Sequence, residues 1–171
     1  ILRLFASAEE RRMFDRKQEL LQSWTGAFLE AKDCPCEAPY GGVIWKGGGR
    51  LDTRRFLESS GIFFRELGFV ESGEVDLASG LEVERPTIMC AGAAGLGSGP
   101  FGFLPERRAK GEILTVRIPG QPEDRVLSRN GWMIPLGQGL FRVGSTYSWN
   151  NLTDEVTSSG RNQIENLLRS F

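Results

Sequence analysis

The chain has 171 residues, 40% hydrophobic and 25% charged, with a formal net charge of −1. That balance fits an ordinary globular domain and gives no basic field to draw in nucleic acid or an anionic membrane. There are no histidines, which removes Ser-His-Asp and Cys-His catalysis and most zinc or iron sites, so any chemistry falls to carboxylates, Lys, Tyr or a cofactor.

Ile1 to Ala6 is too short an apolar run for a signal peptide and meets charge at once. Nowhere does an apolar stretch reach the length of a membrane span. Ser7-Ala8-Glu9-Glu10 has capping-box spacing, and Met13, Phe14, Leu20, Leu21, Trp24 and Phe28 recur at helical intervals, so the pattern predicts a helix from Ala8 to Ala31. The stretch from Cys34 to Pro39 reads as loop. Cys34, Cys36 and Cys90 make a poor disulfide framework; they read as ordinary thiols, with Cys90 in the core, and point to a reducing, cytoplasmic setting.

Gly42 to Trp45 reads as a short strand. Asp52 is a natural N-cap for a helix that should stop at Leu67, with Gly68 in the left-handed C-terminal position and Leu51 and Phe56 as a hydrophobic staple. Phe69 to Pro86 alternates loosely, as short strands do. Thr87 to Ala91 reads as an apolar strand ending in Gly92, and glycine-dense loop follows to Gly102. Glu112 to Ile118 alternates as a strand with one wet face, and Arg125 to Ser128 is another, ahead of a turn at Asn130-Gly131. Trp132 to Pro135 and Leu140 to Thr146 flank Leu136-Gly137-Gln138-Gly139, a strong hairpin signal. Thr157 caps a last helix whose Ile164, Leu167, Leu168 and Phe171 share one face. Consecutive hairpin-linked strands predict an α+β fold: a single domain over 1–171 with a mainly antiparallel, mixed sheet and helices packed on one face.

Gly97-Ser98-Gly99-Pro100-Phe101-Gly102 matches G-x-G-x-x-G. A phosphate cradle needs a helix opening inside the motif. Pro100 and Pro105 interrupt here, so the segment reads as loop.

Several blocks carry a resemblance. Thr87 to Ala93 resembles the late strand-and-glycine turn of the glycine/D-amino-acid oxidase family, and Ala109-Lys110-Gly111-Glu112-Ile113-Leu114 resembles its "KGE-(I/L)-L" strand. Trp132 to Tyr147 is similar to that family's "aromatic-x-I-P … G-x-x-x-(I/V)-G-(A/S)-T" hairpin, and Thr157 to Leu168 to its "T-x-x-G-R … L" helix. Gly49-Arg50-Leu51-Asp52 resembles the entry to the substrate domain. The resemblance covers most of the chain in the right order.

It implies the substrate-binding part of an FAD-dependent oxidoreductase that oxidises an amino acid or secondary amine by hydride transfer to flavin. By position in the family hairpin, Trp132 would close the substrate pocket with Ile134 beside it, Arg142 would suit a carboxylate, and Tyr147 would hydrogen-bond a polar group. Ala91, Gly92 and Ala93 would allow close approach of the cofactor. The bland alternatives are a packed sheet-face aromatic, a core isoleucine, an exposed strand arginine, an edge tyrosine and a plain turn.

The family's Rossmann fingerprint for FAD and its carboxyl-terminal arginine segment are not in this sequence. The chain also starts without methionine and ends on an apolar helical stripe, so a fragment of a longer enzyme is expected, inactive and without FAD alone, its partners a small amine or amino acid and the rest of its own polypeptide. A family variant acting on modified tRNA is disfavoured by the near-zero net charge. The competing class is a stand-alone α+β module binding a small ligand or a protein.

Overall fold

Short segments that alternate apolar and polar residues commit a chain to a sheet with unlike faces. The computed structural model describes residues 1–74, 86–95 and 101–171. The chain falls into two compact units, one of Ile1–Arg50 with Lys110–Phe171 and the other of Leu51–Ala109.

The first unit holds a mixed seven-stranded sheet of β1 (Leu2–Leu4), β2 (Thr25–Leu29), β3 (Gly42–Trp45), β4 (Ile113–Arg117), β5 (Leu127–Ser128), β6 (Trp132–Gly137) and β7 (Leu140–Gly144), in the spatial order β2-β3-β1-β5-β6-β7-β4. Every pairing is antiparallel except β1 with β5. With helices α1 (Ala8–Leu21), α2 (Thr53–Glu66) and α3 (Ser158–Leu168), the α+β class stands. One sheet face carries the core: Leu2, Leu4, Leu127, Met133, Phe141 and Val143 are all at most 2% exposed and pack with Ile164 of α3. Leu167, Leu168 and Phe171 join the same cluster, as their shared helical face requires.

Helix α1 departs from expectation twice. It starts as its capping signal predicts, with Glu10 N–H donating to Ser7 Oγ at 3.1 Å, while the Glu10 carboxylate accepts from Ala6 N at 2.7 Å. It ends at Leu21, not Ala31. Trp24 to Phe28 has helical spacing, but Thr25–Leu29 is strand β2, because pairing with β3 satisfies its backbone groups. Helices also occupy both faces rather than one. Arg3 and Val43 face away from the core, and α1 lies against that side: Met13, Phe14 and Leu21 share a cleft with Val43 and Trp45, and the Arg11 guanidinium sits 3.7 Å from the Phe28 ring centre.

In the second unit α2 has the predicted boundaries. Asp52 accepts from Arg55 N at 3.1 Å, and Gly68 (φ 71°) closes the helix as its N–H meets Arg65 O and Phe69 N–H meets Phe64 O, each at 2.9 Å. Its Phe56, Leu57, Phe63, Phe64 and Leu67 are all exposed. The strand expected over Thr87–Ala91 is absent, and Cys90, expected in the core, is exposed. An apolar run becomes a strand only where a neighbouring strand supplies a ladder of backbone bonds, and this run joins none of the described strand pairings. Residues 69–74 carry no strand; the remaining short strands expected up to Pro86 and most of the Gly97 motif lie outside the described residues. No described helix is long and apolar enough to cross a membrane.

Candidate functional site

The β6–β7 hairpin turns through Gly137 (φ 100°), Gln138 (φ 56°) and Gly139 (φ 73°), left-handed positions that explain the glycines of the predicted turn. Side chains then alternate. Met133, Phe141 and Val143 point into the core beneath α3, while Trp132, Ile134 and Arg142 point to the opposite face. There Trp132 and Ile134 are half-buried and Arg142 is exposed.

Register makes this outer face a grid. Trp132 stands opposite Gly144, which stands opposite Ile113 of β4; Ile134 stands opposite Arg142, which stands opposite Thr115. A Cβ at Gly144 would lie 3.2 Å from both Trp132 Cζ2 and Ile113 Cγ1. The indole therefore rests on the backbone of Gly144 with Ile113 on the far side of that glycine, and a Cβ there would have to push one of them aside by a few tenths of an ångström. Together they make a continuous apolar shelf, next to a row holding a guanidinium and a hydroxyl. The sequence reading had Trp132, Ile134 and Arg142 but missed Ile113 and Thr115. Their signal was the wet face of the β4 alternation.

Tyr147 lies just past β7, 70% exposed, its ring stacked on that of Trp149 with centres 6.4 Å apart. It borders a recess of about 160 Å3 lined mostly by polar groups, among them Lys110, Glu112, Ser148, Asn151 and Gln163. At its centre Glu112 accepts from Thr157 N at 2.9 Å and Thr157 Oγ1 at 2.7 Å, with Lys110 Nζ at 3.6 Å. Thr157 Oγ1 in turn accepts from Gly160 N at 3.0 Å and caps α3. A Cβ at Gly160 would approach Glu112 Cδ to 2.6 Å. The Lys-Gly-Glu strand and the Thr-x-x-Gly helix start are thus one clamp that docks α3 on β4. The Thr157 N–H, its hydroxyl and then Lys110 hold the Glu112 carboxyl below its ordinary range.

Ala91, Gly92 and Ala93 belong to the second unit, where they are exposed and run into the 3-10 turn Gly92–Gly95, not off the end of a strand. Gly92 has φ 56°, and among the described residues beyond its chain neighbours no heavy atom lies within 4 Å of a Cβ built on it. Among the described residues no group of three or more His, Cys, Asp or Glu gathers to hold a metal. No family model matches the chain, and no solved structure matches it.

Proposed function

We propose that this chain is the substrate-side part of a flavin-dependent oxidoreductase acting on an amino acid or secondary amine. The observation that carries the reading is the outer face of the β6–β7 hairpin. Trp132 packs its benzo edge against Gly144 on the side of the sheet opposite α3, half-exposed. An aromatic held this way offers a rigid apolar wall at low entropic cost, and Arg142 one row further on offers a partner for a carboxylate. In this role Trp132 and Ile113 exclude water from the reacting carbon and Arg142 orients the substrate through its acid group.

The open backbone at Gly92 fits close approach of a planar cofactor, with Ala91 and Ala93 too small to obstruct it. A bound flavin supplies the hydride acceptor, so no histidine base is needed. The test uses the intact protein. It should be yellow, and should turn over on a panel of glycine, sarcosine and D-amino acids. Trp132→Ala should lower kcat/KM by about a hundredfold while flavin absorbance persists. Intact protein without flavin, or turnover indifferent to Trp132→Ala, would end this reading.

A further inference from the structure

Arg142 flanks Ile134 on the β7 side. On the other side of β6 the first unit opens a cleft of about 240 Å3 whose lining includes Gly48, Gly49, Arg50, Asp124, Ile134 and Pro135. Two guanidiniums stand on its rim. Arg50 is anchored by Nη1 donating to Pro135 O at 2.7 Å, and Arg125 by Nε, at 2.6 Å, and Nη2 both donating to Asp124 Oδ2, which leaves its Nη1 edge open. Each arginine keeps further N–H groups beyond its anchor, since a guanidinium carries five donors.

Charge around Ile134 is lopsided. Arg50 and Arg125 share the cleft with a single carboxylate, Asp124, and Arg142 stands beyond Ile134 on the β7 side, in a chain whose net charge is −1. Neighbouring Glu123 is committed elsewhere, accepting from Gly139 N in the hairpin turn at 2.7 Å. Arg142 makes no ion pair among the described residues. Between the cations the wall is apolar, built from Val126, Ile134 and Pro135. At Gly49 a built Cβ would meet no heavy atom of the described residues beyond its chain neighbours within 4 Å, so among them the loop backbone is open toward an entering group.

We infer that this cleft binds a small organic monocarboxylate, its acid group between the guanidiniums of Arg50 and Arg125 and its hydrocarbon part on Ile134 and Pro135. A guanidinium fork matches the two oxygens of a carboxylate, and the apolar wall gains only from a ligand with a hydrophobic body. Inorganic phosphate satisfies the first condition and wastes the second; a neutral amide does the reverse. Asp124 competes with the ligand for Arg125 and holds affinity down. The inference goes beyond the proposed oxidation: it needs no flavin and concerns equilibrium binding alone.

Titration of 15N-labelled protein at low ionic strength with benzoate, benzamide and inorganic phosphate tests it. Benzoate should give saturable shifts at the amides of Gly48, Gly49 and Ile134, with benzamide and phosphate each at least about tenfold weaker. Arg50→Gln and Arg125→Gln should each weaken benzoate by about tenfold, whereas Asp124→Asn should tighten it. The sites are at the surface, and an otherwise unchanged spectrum certifies the fold of each variant. Absence of saturable benzoate shifts at millimolar concentration, equal binding of phosphate, or indifference to both arginine substitutions would overturn the site.

Discussion

The two faces of the β6–β7 hairpin are made by the same ten or so consecutive residues and have almost nothing in common. On one, Met133, Phe141 and Val143 are at most 2% exposed and lock against Ile164. On the other, Trp132 and Ile134 are half-buried, Arg142 is exposed, and a Cβ at Gly144 would crowd the Trp132 and Ile113 side chains at 3.2 Å. A strand period of two places the packed core and the proposed recognition surface on opposite sides of one ribbon, so each can change with little effect on the other. Substitutions at adjacent residues should therefore have opposite consequences.

The strongest break is on the core face. Phe141→Ala should cost about 3–5 kcal/mol, the usual range for emptying a buried aromatic site, read as a lower midpoint in urea unfolding with unchanged slope. A loss under about 1 kcal/mol would mean that the site collapses far better than close-packed cores do. Next comes Gly144→Ala. The new methyl must displace the Trp132 ring or Ile113, each 3.2 Å away, at about 1–3 kcal/mol as for other overpacked sites. Altered Trp fluorescence should accompany the loss, tying the cost to the outer face.

The clamp between Glu112 and Thr157 gives an intermediate effect. Thr157→Ala should cost about 0.5–2 kcal/mol through loss of the α3 N-cap. Glu112 adds a pH dependence. Its folded-state carboxyl lies below the ordinary 4.5, so its contribution is complete above that value and is lost as pH falls through the depressed one. The difference in Tm between wild type and Glu112→Gln should be widest above pH 4.5 and close on further acidification. A gap that widens toward acid would reverse the sign and refute the clamp. Smallest of all is Arg142→Gln, one residue from Phe141 and expected to stay within about 0.5 kcal/mol of wild type. Under the proposed function it should raise KM for a carboxylate-bearing amine far more than for a neutral one.

Several elements were legible beforehand because their signals are local. Asp52 and Gly68 mark the ends of α2, Thr157 starts α3, and Gly137 to Gly139 turn the hairpin. Misreadings fell where a local pattern had more than one solution. Trp24 and Phe28 are four apart, which suits a helix face, yet Thr25 and Phe28 pair with Trp45 and Val43 across a bulge. Thr87 to Ala91 is apolar enough for a strand but joins none of the described strand pairings. At the candidate site, Trp132, Ile134 and Arg142 were placed on one face by counting in twos. Ile113 and Thr115 required the register of β4 on β7, and the Glu112–Thr157 clamp joins residues 45 apart in sequence.

The amino-acid sequence by itself determined the caps, the turns and the division of the hairpin into an apolar and a polar side, because these depend on backbone conformation within a few residues. Tertiary structure alone decided that three-residue β1 sits mid-sheet, that α1 and α3 take opposite faces, and that the indole of Trp132 lies on Gly144. Those outcomes rest on which distant strand supplies each backbone hydrogen bond and which surface is shielded from water, and both are properties of the assembled chain.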